Sequence, residues 1–123
     1  MSAAVTTSIS IPAFLKIESG ALSEIGTYLK EHRLNKVVVF FGNGLIKMFG
    51  DKVMTSFEEN GIEALQHMEL DTVNIEDITD IAFGMPNTTQ AVIGIGGGKV
   101  IDTAKYCGFL RKIPYISVPT STS

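Results

Sequence analysis

The sequence has 123 residues, 45% of them hydrophobic and 19% charged, a balance that suits one globular domain with a sizeable core and excludes a disordered chain. A net charge of −3 with no run of Lys or Arg speaks against a nucleic-acid surface, and the longest unbroken apolar run, Val37 to Phe41, is far too short to cross a bilayer. The opening Met1 to Thr7 has neither the basic start nor the apolar stretch of a secretory signal, so the cytoplasm is the expected location.

Ser8-Ile9-Ser10-Ile11 and Phe14-Leu15-Lys16-Ile17 alternate around Pro12, as an edge strand or hairpin would. Ser19-Gly20 leads into a helix that places Leu22, Ile25 and Leu29 on one face. Val37 to Phe41 is a strand apolar throughout, which fits a sheet covered on both sides. Gly42-Asn43-Gly44 then turns the chain into a helix with Leu45, Ile46, Phe49, Val53 and Phe57, closing at Asn60-Gly61. Ile62 to Leu70 reads as a weaker strand. Asn74 is placed to cap the next helix, with Glu76 and Asp77 in its first turn and Ile75, Ile78 and Ile81 facing inward, and Gly84-Met85-Pro86-Asn87 ends it. Ala91 to Ile95 is a further strand, Gly98 to Leu110 a helix, and Tyr115 to Val118 a last short strand stopped by Pro119. Strands and helices alternating at this spacing predict a single α/β domain over residues 1–123, with a Rossmann-like parallel sheet, right-handed crossovers and helices on both faces.

The most informative stretch is Ala91 to Lys105, where an apolar strand ends in Gly96-Gly97-Gly98 and a helix follows at once. Glycines keep Cβ atoms away from an anion, and the helix start adds unpaired N–H groups and the positive end of its dipole. Phosphate or pyrophosphate binding is one reading and a ligand-free tight turn the other. On the helix, Val100, Ile101, Ala104, Cys107 and Gly108 form the buried stripe, while Lys99, Asp102 and Lys105 point away from it; a solvated face with charge pairing would give the same pattern. Cys107 reads as a small core residue, and a single cysteine builds no disulfide framework. Neither Gly42-Asn43-Gly44 nor Gly94 to Lys99 completes the dinucleotide fingerprint, since Lys47 and Lys99 stand where its third glycine belongs, and the spacing is not that of a Walker loop. His32 and His67 stand isolated, so no metal site can be drawn.

Gly96 to Lys105, followed by Ile113-Pro114-Tyr115-Ile116-Ser117-Val118-Pro119-Thr120, resembles the iron-containing alcohol dehydrogenase superfamily, and within it the glycerol dehydrogenase and glycerol-1-phosphate dehydrogenase branches. The resemblance covers essentially the whole chain and implies the nucleotide-binding domain of an NAD- or NADP-dependent dehydrogenase. Its substrate would be glycerol-1-phosphate, glycerol or a related polyol. It also implies a helical, metal-binding domain with zinc or iron that this chain does not contain, so these residues alone are expected to bind cofactor without turnover. No nucleic acid or membrane partner is expected, and a homo-oligomer is compatible with the family.

Carried over residue by residue, the resemblance gives Gly96, Gly97 and Gly98 to the cofactor pyrophosphate, with the Gly97 backbone approaching closely at a positive φ. Lys99 follows the triple glycine, Asp102 lines the site beside it, and Lys105 supports it electrostatically. Gly42 and Asn43 meet the adenosine ribose, where NAD-preferring members often carry a carboxylate that this loop lacks. Thr120 and Ser121 approach the nicotinamide. The superfamily's 3-dehydroquinate synthases share the triple glycine and the Pro-Thr segment but usually have aliphatic residues and glycine in place of Lys99 and Lys105, which favours the dehydrogenase side. A non-catalytic α/β binding module is the contrasting expectation.

Overall fold

The computed structural model describes residues 13–14, 21–71 and 74–120. Five parallel strands, β1 (Ala13–Phe14), β2 (Lys36–Gly42), β3 (Glu63–Leu70), β4 (Ala91–Gly96) and β5 (Tyr115–Pro119), form one sheet in the order β1-β5-β4-β2-β3. Between them lie α1 (Ile25–Glu31), entered through a 3₁₀ turn at Ala21–Glu24, α2 (Leu45–Asn60), α3 (Ile75–Phe83) and α4 (Gly98–Arg111). The predicted parallel α/β architecture is therefore present. Most of the N-terminal alternating segment, including Ser8 to Ile11 and Leu15 to Ile17, lies outside the described residues; β1 sits at the sheet edge beside β5.

Strand periodicity divides the core in two. Val37, Val39 and Phe41 of β2, with Ile93 and Ile95 of β4, meet Leu22, Ile25 and Leu29 and the α2 residues Leu45, Val53 and Phe57 on one face. Val38, Phe40 and Val92 meet Ala82, Met85, Val100, Ala104 and Cys107 on the other. The buried centre of β2, Val37 to Phe41, bonded on both sides, explains the unbroken apolar run. Gly94 lets α4 lie tight on the sheet: a Cβ there would meet the Ala104 Cβ at 2.8 Å and the Val100 carbonyl at 3.0 Å.

Polar groups tie these layers together. Ser56 Oγ on α2 accepts the Gly26 N–H at 2.8 Å and donates to the Ser23 carbonyl at 2.9 Å. Arg111 Nη1 donates to the carbonyls of Ala82 and Met85 at 2.6 and 2.9 Å, and its Nη2 donates to that of Pro86 at 3.1 Å, so α4 clasps the end of α3.

Two details of α3 correct the sequence expectation. Asn74 occupies the N-cap position with an extended backbone, but its side chain makes no capping hydrogen bond. Ile75 is 80% exposed and does not face inward; as the first helical residue its side chain leans toward the helix start, away from the turns that rest on the sheet. Ile78 and Ile81 do pack inward. On α4, Ile101 is half-buried and packs against the inner cluster as expected, and Thr103, which the expected stripe did not include, is buried with it; its hydroxyl donates to the Lys99 carbonyl at 2.8 Å. Among the described residues no helix is long and apolar enough to cross a membrane.

Candidate functional site

All strands point their carboxyl ends to the same edge, and the strand order reverses between β2 and β4. From β2 the chain moves outward to β3, then crosses back to β4 on the other side. Diverging connections leave a crevice at such a point. A cavity of about 410 Å³ lies there, lined by Gly42, Asn43 and Leu45 after β2, Leu70 and Asp71 at the end of β3, and Gly97, Gly98, Lys99 and Val100 after β4. That volume is within the range of small-molecule sites.

The two helices that open onto the cavity differ at their starts. Ile46 N–H, in the first turn of α2, donates to Glu69 Oε2 at 3.0 Å, so a carboxylate of the protein already sits on that helix end. At α4, Gly97 is the N-cap and no side chain caps the turn. Of the two, the α4 start suits an outside anion better, because it has no carboxylate bonded to it among the described residues and Lys99 adds a cation. A Cβ placed on Gly98 would meet nothing within 4 Å, so the wall is open at that residue.

The three adjacent glycines have separate roles. Gly96 has φ of +147°, and a Cβ on it would come within 2.7 Å of Val100 Cγ1 and 3.2 Å of Gly42 Cα and N. It lies buried behind the wall, pairs with Pro119, and its carbonyl accepts the Thr120 N–H at 3.1 Å. Gly97 has φ of −89° and ψ of −168°, an extended conformation open to any residue. The positive φ expected at Gly97 thus belongs to Gly96, because the chain must turn out of β4 at the point where it touches Gly42.

Of the other residues singled out from sequence, Gly42, Asn43, Gly98 and Lys99 join Gly97 at the cavity. Asp102 and Lys105 are exposed on α4 and do not line it. Thr120 is buried beside Gly96, and Ser121 lies outside the described residues. Asp71 was missed. The signal available was a carboxylate directly after the strand that pairs with β2.

Among the described residues no group of three or more His, Cys, Asp or Glu is arranged to hold a metal ion. Cys107 is fully buried, and desolvation pushes its thiol up to about 11 against a smaller opposing pull from the Arg111 guanidinium, which fits a neutral core residue.

A family model described as iron-containing alcohol dehydrogenase matches residues 16–123. Over 113 residues the chain is 31% identical to a glycerol-1-phosphate dehydrogenase [NAD(P)+] of Thermofilum pendens, an alignment covering 92% of this chain and 32% of that protein. It is 27% identical over 96 residues to glycerol dehydrogenase 1 of Schizosaccharomyces pombe, covering 78% of this chain and 21% of the relative. The crystal structure of glycerol dehydrogenase from Schizosaccharomyces pombe superposes with a TM-score of 0.72 at 23% identity over 89% of this chain and 28% of that one, and so matches in fold. An NADH-dependent butanol dehydrogenase from Thermotoga maritima gives 0.63 at 29% identity, over 80% of this chain and 26% of that one. The chain spans about a third of the length of the curated relatives it matches over most of its own length.

Proposed function

We propose, from the premise that this chain belongs to the iron-containing alcohol dehydrogenase family, that it is the nucleotide-binding domain of a dehydrogenase. The enzyme passes hydride between NAD or NADP and glycerol-1-phosphate, glycerol or a related polyol. The observation that carries this reading is the cavity at the reversal of strand order, with the uncapped start of α4 in its wall. The substrate class is supported by the named functions of the glycerol-1-phosphate and glycerol dehydrogenases to which the chain is similar.

The residues fit the dinucleotide. Backbone N–H groups at the start of α4 donate to pyrophosphate oxygens, Gly98 keeps side-chain atoms out of the way, and Lys99 adds an opposing charge. Gly42 and Asn43 are the residues we assign to the adenosine ribose, and Thr120 and Ser121 those we assign to the nicotinamide end. Asp102 and Lys105 contribute to the field around the helix start. The bound nicotinamide supplies the hydride acceptor or donor. The described residues do not fit a divalent metal, so none of them is assigned to zinc or iron and no step is routed through it. The cytoplasm remains the location we favour, and a homo-oligomer fits the reading.

Titration of the purified chain with NADH and with NADPH, followed by nicotinamide fluorescence and calorimetry, tests the assignment. Saturable binding of either is expected. No saturable binding of either at about millimolar concentration, beyond about −4 kcal/mol of binding free energy, overturns it.

A further inference from the structure

We infer that Asp71 makes this site select NAD(H) against NADP(H), by presenting from β3 the carboxylate that the loop after β2 lacks; the inference rests on the dinucleotide reading above. Dinucleotide sites discriminate at the adenosine ribose. A carboxylate bonds the free 2′-hydroxyl and repels a 2′-phosphate, whereas a nearby arginine accepts the phosphate. Here the chain leaves β2 through Gly42-Asn43, with no acidic side chain. The sheet register supplies one from the neighbouring strand. Gly42 pairs with Leu70, so Asp71 follows β3 at the same level at which Asn43 follows β2, and both line the cavity.

Charge is arranged to match. Among the described lining residues Asp71 is the anionic group and Lys99 the cationic one. They stand on different walls, Lys99 in the first turn of α4 and Asp71 at the end of β3. The cation therefore belongs to the pyrophosphate end, and the ribose end has no described cationic lining residue to receive a 2′-phosphate. The nearby Glu69, on β3 two residues before Asp71, accepts the Ile46 N–H of α2. That carboxylate takes one first-turn N–H of α2 and puts a second negative charge near the ribose end, which disfavours an extra phosphate there. Asp71 is exposed, so its replacement leaves the core untouched.

The test measures NADH and NADPH affinities of the chain and of Asp71→Asn and Asp71→Glu, with thermal midpoints recorded for each. NADH is expected to bind the unaltered chain more tightly by about tenfold or more, the size of one partly screened charge contact. Asp71→Asn should tighten NADPH, weaken NADH and bring the ratio toward one, while Asp71→Glu keeps NADH ahead. Raising the ionic strength should narrow the ratio for the unaltered chain and leave that of Asp71→Asn flat. Saturable binding of both cofactors with a ratio that Asp71→Asn does not move, at an unchanged thermal midpoint, overturns the role of Asp71 and leaves the dinucleotide reading standing. Failure of both cofactors to bind overturns the two together.

Discussion

Alanine placed at Gly96 and alanine placed at Gly98 should have opposite consequences, although the residues are separated only by Gly97. At Gly96 the new side chain must adopt φ near +147° and come within 2.7 Å of Val100 Cγ1 and 3.2 Å of the Gly42 backbone. Holding an ordinary residue in such a conformation costs about 1–3 kcal/mol. Overpacking a buried site costs about 1–3 kcal/mol more, and the Gly42 backbone has little freedom to withdraw because β2 is bonded on both sides. For a domain of this size the sum, about 2–6 kcal/mol, corresponds to a thermal midpoint lowered by roughly 8–24 °C. At Gly98 the methyl meets nothing within 4 Å, and the helix gains up to about 1 kcal/mol from losing a glycine. That methyl enters the space given to the pyrophosphate, so dinucleotide affinity should fall by about tenfold, or about 1.4 kcal/mol. Calorimetric melting and NADH titration on both variants read the two effects separately. A Gly96→Ala chain that melts unchanged, or a Gly98→Ala chain that binds NADH unchanged, refutes the division of labour drawn between these glycines.

Replacing Arg111 by Ala removes three donors from the carbonyls of Ala82, Met85 and Pro86 and should cost about 2–4 kcal/mol in urea unfolding; Lys should restore only part of it, because the planar fork is lost. Ser56→Ala leaves the buried Gly26 N–H without its acceptor, for an expected loss of about 1–3 kcal/mol by the same measurement. Burial raises the folded-state pKa of Cys107 to about 11, so the unfolded chain releases its thiol proton first as pH rises. Stability from this group is complete below the unfolded-state pKa and declines between there and about 11, by at most about 1.4 kcal/mol per pH unit. The difference in urea stability between the unaltered chain and Cys107→Ala should shrink over that interval, and a constant difference would contradict the assignment.

The layered fold was legible because β2 and β4 carry uninterrupted apolar runs and each helix shows its buried stripe at helical spacing. The glycine turn was legible for a similar local reason, strand, turn and helix being contiguous. Asp71 was not, since its place beside Asn43 depends on the pairing of β2 with β3, a register that no short motif encodes. The division among the three glycines escaped for a related cause: whether a glycine is demanded by φ, by packing or by a ligand is set by neighbours such as Gly42 and Val100 that are distant in sequence. Ile75 shows the limit of periodicity itself, which counts angle around a helix and ignores whether anything lies opposite its first turn.

The two walls of the cavity are unequally anchored. Gly97 and Gly98 follow β4, an interior strand flanked by β2 and β5, whereas Asp71 follows β3, which among the described residues has a neighbour on one side only. Substitution at Gly96, directly behind the first wall, strains the centre of the sheet, whereas replacement of the exposed Asp71 on the second touches only its margin. Over evolutionary time the turn at Gly96 should therefore drift slowly, while the role proposed for Asp71 would let the choice between the two cofactors be rewritten by a single exposed residue at little cost to folding. Descendants of one ancestral scaffold could diverge in redox currency long before they diverged in architecture.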